Sequence, residues 1–273
     1  MAMALLAART VLVLQEPDRI SQTFDNVFHL NAVRWILDNG SASSFQIGYL
    51  TSPRGPAAFY PAGWHALVAL VVQLSGASIP VAVNAVVLVV SAVVWPLGML
   101  FLGRTLLGTS PAVTVAVALV SASVPAFPLA LMDFGVLYPF QLGLALLPVA
   151  IALTASLLRL TSFGEDLGIL WGCVALAAAL GGLTLVHPGA LVAWLALTGA
   201  MAVVFVVQRW RVASTRRARL PLAAWTVVYL VIAAAMVYVL RPPGEARTWP
   251  PEMTVNAALA KLITVAPWYP SAA

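Results

Sequence analysis

The chain has 273 residues, 62% of them hydrophobic and 8% charged, against about 25% charged in a soluble domain. With a mean hydropathy of +0.98 and several apolar runs of about twenty residues, the composition excludes an ordinary soluble domain and specifies a polytopic membrane protein. The formal charge of +5 comes almost wholly from arginine, Lys261 being the only lysine; no basic segment interleaved with aromatics accompanies it, so the partners expected are membrane lipids and not nucleic acid. The single cysteine, Cys173, excludes an internal disulfide and a multi-thiolate metal site, and reads as a small hydrophobe inside an apolar run.

Residues 1–16 open the chain with an apolar stretch too short to span, with Arg9 in its middle and no clean cleavage site after it. It reads as the stub of a first span whose earlier part is missing. Residues 17–60 are polar and mixed. Ser21 or Thr23 can cap a helix running to about Asn39, with Gly40 as its stop. Gly48, Pro53, Gly55 and Pro56 then give loop chemistry. Pro61 is placed like a first-turn proline of an apolar helix ending near Gly76. Residues 61–76 reach roughly 24 Å as a helix, short of the ~30 Å hydrocarbon core, which predicts an interfacial half-helix. Residues 79–240 hold six candidate spans, at about 79–102, 111–131, 136–158, 167–186, 188–208 and 220–240. Pro96, Pro125, Pro128, Pro139 and Pro148 predict kinks in or at the edges of three of them. Residues 241–273 form a tail. The fold class expected is an all-α polytopic membrane protein: about six full transmembrane helices plus an external loop with interfacial helices.

Orientation follows from the short loops. Arg104, Arg159 and the cluster Arg209, Arg211, Arg216, Arg217 and Arg219 fall on one side; the alternate turns at Asp133 and His187 carry no Lys or Arg. The positive-inside rule makes the arginine side cytoplasmic, where the cluster suits lipid headgroups. If residues 61–76 do not cross, the 17–60 loop and the 241–273 tail are extracytoplasmic, and Asp25, His29, Tyr60, His65, Asp133, Tyr138 and His187 share the outer face of a multi-pass protein of the cell membrane.

Asp25 and His29, four apart, share a helix face. They can position a base, supply two ligands to a divalent cation, or bond each other with no chemistry. Trp64 is placed as an aromatic of the membrane belt or as a substrate contact. His65, with Arg54, can donate to a phosphate, or be a satisfied interfacial histidine. Asp133 must face water, a cavity or an arginine, and can also cap the next helix. His187, before Pro188, reads as a turn residue or a ligand contact. No Walker loop, GxSxG elbow, HExxH or CxxC is present, and the span interiors nearly lack acids, which argues against a carboxylate proton relay.

The stretches Phe24-Asp25-Asn26-Val27-Phe28-His29 and Tyr60-Pro61-Ala62-Gly63-Trp64-His65, in a long first external loop and a Pro-led amphipathic segment, resemble the front half of the GT-C membrane glycosyltransferases. They are most similar to an uncharacterised group of actinobacterial polytopic proteins carrying Phe-Asp-x-x-Phe-His and Tyr-Pro-x-Gly-Trp-His. The likeness covers roughly residues 17–160. It implies transfer of a sugar from a polyprenyl-phosphate donor to a cell-envelope glycan acceptor at the outer face, with Asp25 as general or metal-assisted base and His29 beside it. Sugar transfer from a lipid phosphate needs a base near the acceptor and donors near the leaving phosphate, a role for Arg54 and His65; Tyr60, Trp64, Asp133, Tyr138 and His187 complete the expected binding site. This sequence departs from the family pattern at Asn26, where a second carboxylate is usual. Two further readings stay open: a non-catalytic binder of a lipid carrier or partner in envelope assembly, and a small-solute transporter, which predicts inverted repeats and interrupted helices.

Overall fold

The computed structural model describes residues 1–51, 59–124, 126–133, 135–163, 167–240, 254–257 and 259. Arg54 and nearly all of the 241–273 tail lie outside the described residues. Three short helices lead: α1 Ala2–Leu14, α2 Asn26–Asn39 and α3 Gly63–Ser75, with a 3-10 turn at Ile47–Leu50 between the last two. Six helices long and apolar enough to cross a membrane follow: α4 Ile79–Leu107, α5 Pro111–Asp133, α6 Tyr138–Leu157, α7 Gly168–Val186, α8 Pro188–Val212 and α9 Arg216–Leu240. The chain is an all-α polytopic membrane protein.

The α2 helix starts later than its hydroxyls suggest. The Ser21 and Thr23 side chains sit 3.0 Å from each other, and Asp25 is the N-cap residue. Gly40 closes the helix in the left-handed region, its N–H bonded to the Ile36 carbonyl, and Gly76 does the same for α3; both conformations favour glycine.

α4 and α6 form the centre and run in the same direction. Gln141 donates to the Ser91 hydroxyl at 2.8 Å. Gly98 lies against the Ala145 carbonyl so closely that a Cβ would stand 2.9 Å from its oxygen. The Thr161 hydroxyl reaches the Thr105 carbonyl at 2.5 Å. Tyr138, at the start of α6, is therefore level with about residue 88 of α4, and the first turns of the 29-residue α4 overhang α6 by roughly 13 Å. α3 occupies that overhang. A Cβ on Gly63 would lie 2.9 Å from the Leu185 carbonyl oxygen at the end of α7. From there α3 runs outward for about 20 Å, and Val68 and Ala69 pack with Ala82, Val83, Val86 and Val87 of α4.

Two of the sequence's prolines have clear structural consequences. Pro96 has no N–H for the Ala92 carbonyl, and α4 widens to a π turn over Val90–Val94. α5 is broken: its first part ends at Ser123, Val124 is extended, and Phe127 is extended at φ −122, ψ 126 before the helix resumes. A proline at 125 offers no N–H to Ser121, and the break leaves the Ala122 carbonyl without its helical donor. Other helices fill both vacancies. Trp95 Nε1 donates to the Ser121 carbonyl at 2.8 Å, and the Arg9 guanidinium of α1 donates to the Ala122 carbonyl at 2.7 Å. Trp95 also stacks on Phe127, ring centroids 4.3 Å apart. This is how a broken span is kept in an apolar medium, where an unpaired carbonyl is costly. It also gives Arg9 a buried polar partner. Trp95→Phe should keep the stack but strand Ser121, lowering unfolding stability in detergent by about 1–3 kcal/mol; an unchanged melting curve would contradict this. Pro148, by contrast, sits inside an unbroken α6.

α7, α8 and α9 complete the bundle more loosely, with α9 having no buried residue. The Trp194 indole of α8 donates to the Thr154 hydroxyl of α6 at 3.0 Å, and Arg219 donates to the Ala213 carbonyl in the turn between α8 and α9.

Candidate functional site

Polar and aromatic residues from four elements meet where α3 begins. The buried face of α2 is Asn26, His29, Ala32, Val33 and Ile36, and that of α3 is Trp64, His65, Val68 and Ala69. Each set follows helical spacing, so packing the faces together carries both histidines inside. His29 Nδ1 and His65 Nε2 are 3.0 Å apart. Trp64, fully buried, stacks on Tyr138 with centroids 5.0 Å apart and planes 18° apart. Tyr138 also meets the His29 ring at 5.6 Å, and Phe28 packs between Tyr60 at 4.5 Å and His65 at 5.8 Å.

Burial decides the charge of the histidine pair. It lowers His29 to about 4, a hydrogen bond to the Val136 backbone offsetting part of the fall. Burial lowers His65 further, to about 3, with His29 adding to the effect. Both rings are neutral at pH 7, so only one of the two facing nitrogens carries a proton. Either His29 Nδ1 or His65 Nε2 donates across the 3.0 Å contact, according to the tautomers of the two rings. The remaining nitrogen of the second ring, His65 Nδ1, is buried with no partner among the described residues. The turn that supplies Val136 is strained. Val136 is 1% exposed and holds φ +56, a left-handed conformation rare for a β-branched residue.

Asp25 is arranged differently. It occupies the N-cap of α2, yet its carboxylate makes no capping bond. Its backbone carbonyl accepts from the His29 N–H at 3.2 Å, while the His29 ring turns to His65. The shared face is therefore real, but the two side chains do not bond each other. The carboxylate lies against Gly135, where a Cβ would sit 3.0 Å from Oδ2 and 3.1 Å from the Phe24 ring. Burial holds its pKa above the ordinary carboxylate value. Burial raises the Tyr60 hydroxyl as well, with the Asp25 charge as a second cause. Asp25 is thus a half-buried carboxylate beside a protonated phenol. Gly135 is at φ +70, so Gly135→Ala should add roughly 1–2 kcal/mol of backbone strain and push on Asp25. A thermal melt checks the loss, and a melt equal to wild type would contradict the placement.

The other expected residues divide. Asp133 is exposed at the end of α5, its carbonyl accepting from Gly135 N–H at 3.1 Å. His187 stands between α7 and α8 against Phe140, centroids 4.7 Å apart. Burial lowers its pKa, and its Nδ1 is buried without a partner among the described residues. It joins the site through α6 and through Leu185 against Gly63, not by touching the histidine pair. Trp64 and His65 are core residues, both fully buried. Arg54 lies outside the described residues. Among the described residues no group of three or more His, Cys, Asp or Glu is placed to hold a metal ion. Sequence reasoning missed the contact between His29 and His65, 36 residues apart, and the role of the Val136 backbone.

No curated protein and no solved structure matches the chain. A family model covers it from end to end, residues 1–273. The chain belongs to DUF6541, a family of unknown function.

Proposed function

We propose that this is a glycosyltransferase-like integral membrane protein that moves a sugar from a polyprenyl-phosphate donor to a cell-envelope acceptor at the outer face, with Asp25 as the base. The observation that carries the reading is the setting of Asp25: an uncapped, half-buried carboxylate with raised basicity, beside Tyr60, where the first turns of α2, α3 and α6 meet. A carboxylate freed from capping can accept the proton of an acceptor hydroxyl as it attacks the anomeric carbon and the lipid phosphate leaves. The neutral histidine pair holds α2 to α3 and positions Asp25; the phosphate falls to Arg54 and surrounding donors. The outward course of α3 supports placing the site on the extracytoplasmic side. α3 leaves the level of α6's first turn and runs beside the α4 overhang, while Arg104 lies in the last turn of α4 and Arg159 just past the end of α6, at the opposite end of the bundle.

Proteoliposomes holding the purified chain, supplied with labelled polyprenyl-phosphate sugars and envelope glycan acceptors, are expected to form glycosylated product. Saturable binding of polyprenyl phosphate with no turnover would instead favour the non-catalytic carrier-binding reading. The broken α5 is a feature that a transporter would share. Its freed carbonyls already accept from Trp95 and Arg9, an indole and a cationic donor that disfavour a coupling cation there.

A further inference from the structure

A second feature begins beside Asp25 and runs along the opposite face of α2. Phe24, Val27, Phe28, Asn31, Arg34, Trp35 and Asp38, all at helical spacing, line an open groove of about 590 Å³ with Leu50 across from them. The floor is apolar and aromatic; Val27 is 67% exposed. The rim is polar and planar. Arg34 makes a two-point ion pair with Asp38, Nε to Oδ2 at 2.9 Å and NH2 to Oδ1 at 2.6 Å. That pair fixes the guanidinium plane and leaves N–H groups free. Asn31 Nδ2 bonds the Val27 carbonyl at 2.8 Å, so its Oδ1 faces outward as an acceptor.

We infer that this groove binds a linear oligosaccharide, and that it is the acceptor cleft of the transferase; the second half of that statement rests on the function proposed above. Sugar rings present apolar C–H faces to aromatic floors and hydroxyl edges to amide, carboxylate and guanidinium groups, which is the division of this groove. An isoprenoid chain fits the floor but not the charged rim. From Phe24 to Asp38 the helix face is about 21 Å long, room for several linked sugars. One end is lined by Phe24, the chain neighbour of the Asp25 base at which an acceptor's terminal hydroxyl must arrive.

The test uses the full chain in lipid nanodiscs on an array of defined linear pentose and hexose hexasaccharides. At least one class is expected to be retained above empty nanodiscs. Asn31→Ala should weaken retention about tenfold, and Val27→Arg should abolish it. Leu74→Ser, on an exposed face of α3 away from the groove, should leave it unchanged. Retention of no glycan, retention indifferent to both groove variants, or competition by farnesyl phosphate would overturn the inference. Glycan binding without any sugar transfer would keep the saccharide groove and remove its role as an acceptor cleft along with the proposed activity.

Discussion

Asp25→Asn is expected to lower sugar transfer by 10²- to 10⁴-fold, the range a positioned general base contributes, with little change in stability. The substitution keeps the side chain's size and removes only its capacity to take a proton. Because Asp25 makes no capping bond, α2 does not depend on its charge. The pH profile carries a second signature. Burial holds the carboxyl above its ordinary value, so the base form is lost at a higher pH than for an exposed aspartate. Activity should therefore rise with pH through an apparent pKa above about 3.9, and that limb should vanish in the variant. The measurement is initial transfer rate against pH for both proteins in proteoliposomes. Full activity in Asp25→Asn would remove Asp25 from the mechanism.

The histidine pair should govern acid stability. The folded-state values, about 4 for His29 and about 3 for His65, both lie below the unfolded value of about 6.5. Below pH 6.5 the unfolded chain therefore binds more protons than the folded one. Stability is complete above that pH and falls as the pH drops toward 4. Between pH 7 and 5 the loss should be roughly 3–4 kcal/mol, about half of it from each histidine. Asp25 acts with the opposite sign, since its raised pKa favours the fold at low pH, and it blunts the loss slightly. His65→Leu alone leaves the buried His29 Nδ1 without its partner and should cost about 1–3 kcal/mol at neutral pH. Replacing both histidines by leucine removes both partners together, and should restore much of that stability and flatten the response between pH 7 and 5. Unfolding in detergent at the two pH values checks this; an equally steep acid loss in the double variant would contradict it.

Much of the architecture was readable in the sequence because it depends on local composition. The six spans begin or end within a few residues of the apolar runs, and α4 extends past residue 102 because Arg104 can sit at a helix end facing headgroups. The prolines of α5 marked its break. What they could not reveal was the repair, since Trp95 and Arg9 lie far from residues 121–122 in the chain. The same limit hid the centre of the site. Asp25 and His29 were legible as a pair by spacing, but the nitrogen that answers His29 belongs to His65, and only the packing of α2 on α3 joins them. Trp64 fits a membrane belt by position; its stacking on Tyr138 depends on where α6 begins. The Ser21 and Thr23 hydroxyls suit an N-cap by type, yet they face each other, and this leaves Asp25 at the helix start with its carboxylate free.

The proposed outer-face site requires that α3, beside the overhang of α4, does not cross the bilayer, and impermeant maleimide labelling of intact cells tests this most directly. In a Cys173→Ser background, single cysteines at Asn39, Asp133 and Arg217, all exposed positions, report the first loop, the turn before α6 and the arginine-rich turn. The account requires positions 39 and 133 to label from outside and position 217 to label only after permeabilisation. Labelling of 133 with protection of 39 would mean that α3 crosses the bilayer, and the common outer site would be lost.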